Sequence, residues 1–126
     1  PAYVARWMPK GPTVSALAQA PALTFSDKDR LQEQWAARQC GTARAACPTH
    51  RLASSQGFVD ACLLGLGWAM NPEALVRPHL ATGALVELAP GSALDVPLHW
   101  QFTRLAAPAL APLTRSIRAH AGRALV

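Results

Sequence analysis

The sharpest chemical feature of the chain is a pair of serines, Ser54 and Ser55, standing between an expected strand and an expected helix. Hydroxyls at a helix start add donors to the open backbone N–H groups and the positive end of the dipole. That combination suits a carboxylate or phosphate oxygen. A serine in this place also works as a plain helix cap with no ligand present, and the residues alone leave both readings open. Asp27 and Asp29 lie just past an expected strand that ends at Phe25. Parallel sheets place ligand contacts beyond such carboxyl ends, where two acids can balance a cationic ligand. Equally, they are favourable acids near a helix N-terminus.

Other chemistries fit poorly. Ser55 lacks the glycine two residues earlier that a nucleophile elbow requires. His50, His79, His99 and His120 are spread over four elements, and with four Asp in the chain a paper triad is easily drawn, so catalysis is not expected. Gly65-Leu66-Gly67 is no phosphate loop: no third glycine follows at the required spacing and no Gly-Lys-Ser/Thr exists. It reads instead as a helix stop plus a close strand approach. Cys40, Cys47 and Cys62 are odd in number and lack the close pairs of a zinc site, so free thiols, no metal and no cofactor are expected.

Alternating strands and helices must position these residues. Apolar residues 3, 4, 7 and 8 fit one helical face, stopped by Pro9, Gly11 and Pro12. Thr13 caps a short helix through Gln19, and residues 22–25 form a buried strand. Ser26-x-x-Asp29 has the form of a capping box opening a helix to about Gln39, with Leu31 and Trp35 as its buried pair and Cys40-Gly41 as its stop. Residues 47–53 form a second strand, residues 56–64 a helix ending at Gly65, and residues 67–70 a third strand. Two short helical pieces follow around 73–76 and 78–81. Residues 85–88 and 96–102 are further expected strands, the latter alternating with Val96, Leu98, Trp100 and Phe102 on its covered side. The last helix spans 109–125, with Pro108 and Pro112 at or before its first turn. This order gives an α/β fold with a mainly parallel sheet.

The 126 residues are one domain's worth, and 51% hydrophobic against 15% charged excludes disorder as the main state. Apolar runs are far shorter than a membrane span, and neither a basic n-region nor a long apolar h-region opens the chain, so a soluble cytoplasmic protein with no membrane contact is expected. The net charge of +5 comes from cations dispersed between Arg6 and Arg123, Arg44 among them, with a single Tyr for stacking. Nucleic-acid contact by this segment is therefore not expected, since a basic footprint should be clustered.

The stretch Leu52-Ala53-Ser54-Ser55-Gln56-Gly57-Phe58-Val59 through Gly65-Leu66-Gly67-Trp68-Ala69-Met70-Asn71-Pro72 resembles the centre of the LysR-type effector-binding domain. Gly83-Ala84-Leu85-Val86-Glu87-Leu88, the alternating strand and the terminal helix match the family in order and spacing over nearly the whole chain. Pro21-Ala22-Leu23-Thr24-Phe25 with Asp29 and Gln32, and later Leu98-His99-Trp100, is similar to its arginine- and lysine-responsive, chromosome replication initiation inhibitor-like branch.

The resemblance implies a periplasmic-binding-protein-like (type 2) pair of subdomains with a small effector, lysine or arginine, in their cleft. Residues 1–103 would be the second regulatory subdomain without its first strand, and 104–126 a helix returning to the first subdomain. A winged helix-turn-helix outside this chain would read DNA, and the parent protein would form homo-oligomers. Carried over by position, Phe25, Ser26, Asp27, Asp29, Ser54, Ser55 and Phe58 line the cleft. A solute-binding domain of a transport system shares the fold and is the rival expectation.

Overall fold

The computed structural model describes residues 1–42 and 46–125, so Arg44 and Val126 lie outside the described residues. It divides into two compact units, residues 1–94 and 95–126. In the first unit the elements run α1 (Ala2–Trp7), α2 (Val14–Leu17), β1 (Ala22–Thr24), α3 (Leu31–Cys40), β2 (Thr49–Arg51), α4 (Ser55–Leu63) and α5 (Glu73–Ala81).

β1 is the centre of this unit. It pairs in parallel with β2, setting Ala22 opposite Thr49, Leu23 opposite His50 and Thr24 opposite Arg51. On its other side Trp68 makes a parallel bridge to Ala22, with Leu23 N donating to Trp68 O at 2.8 Å and Trp68 N donating to Pro21 O at 3.1 Å. The expected strand over 67–70 is thus reduced to one bridge. Successive β1 side chains face opposite ways. Ala22 packs with Tyr3, Met8, Leu17, Ala20, Trp35, Ala36 and Trp68, while Leu23 packs with Phe58 and Ala61. Two apolar clusters thereby hold α1–α3 on one face and α4 on the other.

Two helices stop on glycines as expected. At Gly41, φ 62°, the Gly41 N–H turns back to Arg38 O and Thr42 N to Ala37 O. At Gly65, φ 71°, Gly65 N reaches Cys62 O and Leu66 N reaches Ala61 O. This paired 5→2 and 6→1 closure needs a left-handed residue, which glycine adopts without a Cβ penalty.

Several expectations are corrected. The capping box does not open α3. Residues 25–28 form a turn instead, and the helix starts at Leu31. Its buried side holds Gln32, Trp35 and Ala36, with Leu31 only half-buried. The two pieces expected between 73 and 81 are one helix, α5, which runs through Pro78 and carries a Glu73–Arg77 ion pair at 3.0 Å. Residues 85–88 make no strand: Leu85 N donates to His79 O at the end of α5, so that backbone is already engaged.

In the second unit, a 3-10 turn (Arg104–Ala106) leads into α6 (Ala107–Ala124), which begins two residues earlier than expected and continues through Pro112. Residues 96–102 form no strand, and Val96, Leu98, Trp100 and Phe102 are exposed rather than covered. A ladder needs a partner for its N–H and C=O groups, and the described residues of this unit supply none. Within the unit Trp100 Nε1 donates to Thr114 Oγ1 at 3.1 Å, and the Trp100 and Phe102 ring centroids lie 6.3 Å apart.

Candidate functional site

The parallel register brings the ends of β1 and β2 side by side, and α4 starts four residues after β2. Ser54 is the residue before α4, in an extended conformation (φ −155°, ψ 122°), and its Oγ accepts from Gly57 N at 3.0 Å. Ser55 opens the helix, exposed. The N–H groups of a helix's first turn have no partner within the helix. Ser54 Oγ takes one of them, so Ser55 and Gln56 carry the donors at the helix mouth. Replacing Ser54 by Ala removes the cap and should lower the unfolding free energy by about 1 kcal/mol, read from urea unfolding. Ser55→Ala leaves the cap in place and should change stability far less.

At the end of β1 the chain folds into a turn. Asp29 N donates to Ser26 O at 3.1 Å, and Lys28 N donates to Ser26 Oγ at 3.3 Å. The Asp29 carboxylate accepts from Phe25 N at 2.9 Å through Oδ2 and from Leu31 N at 3.1 Å through Oδ1. Asp29 therefore shapes the turn and accepts the first N–H of α3, which leaves little of it for a ligand. Asp27 sits at the tip, exposed, and forms an ion pair with the Arg51 guanidinium from β2.

All seven expected residues lie at this end of the first unit. Phe25, Ser26, Asp27 and Asp29 follow β1, while Ser54, Ser55 and Phe58 open α4. The two groups meet where the Phe25 and Phe58 rings pack, centroids 6.4 Å apart at 58°. Phe58 is buried and Phe25 is 45% exposed, so an apolar floor with an open edge separates the Asp27 turn from the serines. Sequence reasoning missed Arg51, since nothing in the chain order marks one cation among twelve as the neighbour of Asp27.

None of these seven residues lines either of two concavities of this unit. One of about 430 Å³ runs along α1 and α2, past Arg6, Trp7, Lys10 and Thr13. Another, of about 230 Å³, is bordered by Leu23, His50, Arg51, Leu52, Ala61 and Leu66. Burial raises the Cys62 and Cys47 thiols above their ordinary range, which keeps them protonated and poor nucleophiles. Burial likewise pushes up the Tyr3 hydroxyl, which donates to Pro21 O at 2.6 Å. Among the described residues no group of three or more His, Cys, Asp or Glu could hold a metal. No helix among them is long and apolar enough to cross a membrane.

Parallel strands with a hydroxyl-bearing helix start at their carboxyl ends define an α/β domain. The LysR substrate binding domain family matches residues 1–125, and the chain belongs to that family.

Among its relatives, the HTH-type transcriptional regulator ArgP of Pseudomonas aeruginosa is 41% identical over 100% of this chain and 41% of its own length. The regulator LysG of Mycobacterium tuberculosis is 38% identical over 94% of the chain and 39% of its own length. This chain thus spans about two fifths of the curated relatives it matches.

The solved C-terminal domains of a LysR family protein from Agrobacterium tumefaciens superpose with a TM-score of 0.94 at 50% identity, covering 100% of this chain and 60% of that one. ArgP from Mycobacterium tuberculosis superposes at 0.83 with 37% identity, covering 94% and 40%. The α/β, type 2 periplasmic-binding-protein-like class expected from sequence stands, as does the family. The relatives are named as transcriptional regulators, in agreement with the expectation of a non-enzyme.

Proposed function

We propose that this chain is the effector-sensing part of a cytoplasmic, homo-oligomeric LysR-type transcription regulator, and that its effector is a basic amino acid, lysine or arginine. The carboxylate lies at the mouth of α4, on Ser55 and the open first-turn N–H groups beside Ser54. The cationic group lies toward Asp27, and the Phe25–Phe58 pair carries the aliphatic stem, with Ser26 and Asp29 shaping the turn. The observation that carries this reading is the convergence of a donor-rich helix start and an exposed carboxylate across one apolar contact. The names of the relatives, ArgP and LysG, support the choice of amino acid.

Residues 1–103 then act as the second regulatory subdomain and 104–126 as the helix returning to the first. DNA is read by a winged helix-turn-helix elsewhere in the parent protein. An effector biases such an assembly only through different affinities for its two states.

Calorimetric titration of the full-length protein with lysine and arginine tests the reading. Binding should raise the unfolding free energy by about 2.7 kcal/mol at a ligand concentration one hundred times Kd. Ser55→Ala should weaken binding about tenfold, as loss of one hydrogen bond to a charged group does. No heat and no thermal shift with either amino acid would overturn the assignment of the effector and leave the family untouched.

A further inference from the structure

The Asp27 carboxylate that the proposed function assigns to the effector's cation is already paired in this structure, with Arg51 Nη2 on Asp27 Oδ1. The pairing follows from the fold. The parallel register sets Arg51 opposite Thr24 at the strand ends, and Asp27 is three residues beyond Thr24 in a turn fixed by Ser26 and Asp29. The side chains of both partners are largely open to water, 62% exposed for Arg51 and 78% for Asp27. A solute cation can therefore reach the carboxylate without prising apart a packed interface.

Chemically, the group on Asp27 is the same guanidinium that free arginine carries. We infer that Arg51 is a tethered competitor for the effector's cationic site: it occupies Asp27 when the effector is absent, and the effector's ammonium or guanidinium takes its place on binding.

The inference rests on the proposed function, and it sharpens what sets the sensor's affinity. A ligand must present a cation good enough to displace an arginine held nearby at high effective concentration. Neutral amino acids that rely only on the α4 donors leave the pair intact and gain nothing from Asp27. Because the pair is exposed, its grip is modest. The competitor therefore raises the concentration at which the sensor responds without blocking it. Salt screens such pairs, so the competition weakens as ionic strength rises.

Titrating lysine into the full-length protein and its Arg51→Gln, Arg51→Lys and Lys28→Gln variants decides the matter. Arg51→Gln should bind lysine about threefold more tightly than the parent, from the strength of exposed pairs, with the gain shrinking at high salt. Arg51→Lys, which keeps a cation in reach of Asp27, should stay near the parent. Lys28→Gln removes a nearby charge that makes no ion pair among the described residues, and should also stay near it. Arg51→Gln affinity equal to or weaker than the parent's, or an equal gain in Lys28→Gln, overturns the competitor role and leaves the effector assignment standing. Absence of binding in the parent and in Arg51→Gln alike overturns both.

Discussion

Replacing Trp35 by Ala should lower the unfolding free energy by about 3–5 kcal/mol, the range for removing a large buried aromatic. Trp35 is 4% exposed and stands where three segments of the first unit meet. From α3 its ring packs on Trp68, centroids 5.2 Å apart at 51°, in the segment that bridges to β1. Its Nε1 donates to Ser92 O and Ser92 Oγ, both at 3.0 Å, and Ser92 Oγ in turn donates to Ala89 O at 2.6 Å. One indole thus ties α3, the Trp68 bridge and the 88–94 segment, whose Leu88, Ala89 and Leu94 pack on the same cluster. Against a typical domain stability of about 5–15 kcal/mol, the loss is a large share of the whole. Urea unfolding followed by far-UV circular dichroism gives the number. Trp35→Phe keeps part of the ring contact but forfeits the bonds to Ser92 and some of the buried ring, so it should cost less than alanine, about 1–3 kcal/mol. Equal costs for the two variants would mean that the bond to Ser92, and not the packing, holds these segments.

Much of this architecture was legible in the chain order. The short apolar run 22–25 between Pro21 and Ser26-Asp27, and the glycines at 41 and 65, fixed where β1 lies and where α3 and α4 stop. Those signals are local: a φ that only glycine takes easily, a proline with no N–H to give. What failed was non-local. Alternation over 96–102 tells which residues share a side, but a strand also needs a neighbour, and among the described residues of its unit that segment has none. The burial of Gln32 had no signal in the sequence for a related reason. An amide on a helix defaults to solvent, yet this one is 1% exposed because the face between Trp35 and Ala36 turns inward. At 26–29 the capping-box pattern was present, but the Asp29 carboxylate reaches the N–H groups of both Phe25 and Leu31, making a turn ahead of the helix.

The candidate site divides in the same way. Ser54 and Ser55 were legible because a hydroxyl pair between strand and helix has a mechanism at that place. The structure gives them different work, Ser54 as cap and Ser55 as an open donor. Asp27 and Asp29 looked alike in sequence, and they differ only because one turn carbonyl and two backbone N–H groups claim Asp29 and leave Asp27 at the tip. Arg51 had no local signal, since its meaning depends on a parallel register that pairs residues 27 apart, Thr24 with Arg51.

Gly67→Ala should cost about 1–3 kcal/mol, the range for forcing atoms into a packed core, although Gly67 shows no unusual backbone angle. A Cβ built there would sit 2.8 Å from Leu23 Cδ2, 3.1 Å from Leu23 Cγ and 3.0 Å from Pro21 O. Leu23 is 1% exposed on the middle strand and packs against Phe58 and Ala61, so it must shift within that cluster to admit the methyl. The Pro21 carbonyl already accepts from Trp68 N at 3.1 Å and Tyr3 Oη at 2.6 Å, so it cannot swing away without losing both. A double-mutant cycle separates the two obstacles. Leu23→Ala alone should cost about 2–5 kcal/mol as a core truncation. In that background Gly67→Ala should cost less, since the leucine clash is gone, but more than nothing, since the carbonyl remains. Strict additivity would show that the leucine never opposed the methyl. The strain also bears on sensing. β1 is held between β2 and the Trp68 bridge, and the Asp27 turn hangs from its end. On the proposed assignment of lysine to the Asp27–Ser55 end of the fold, pushing the bridge outward should displace that end of β1, and Gly67→Ala should then lose lysine affinity at temperatures where the protein stays folded.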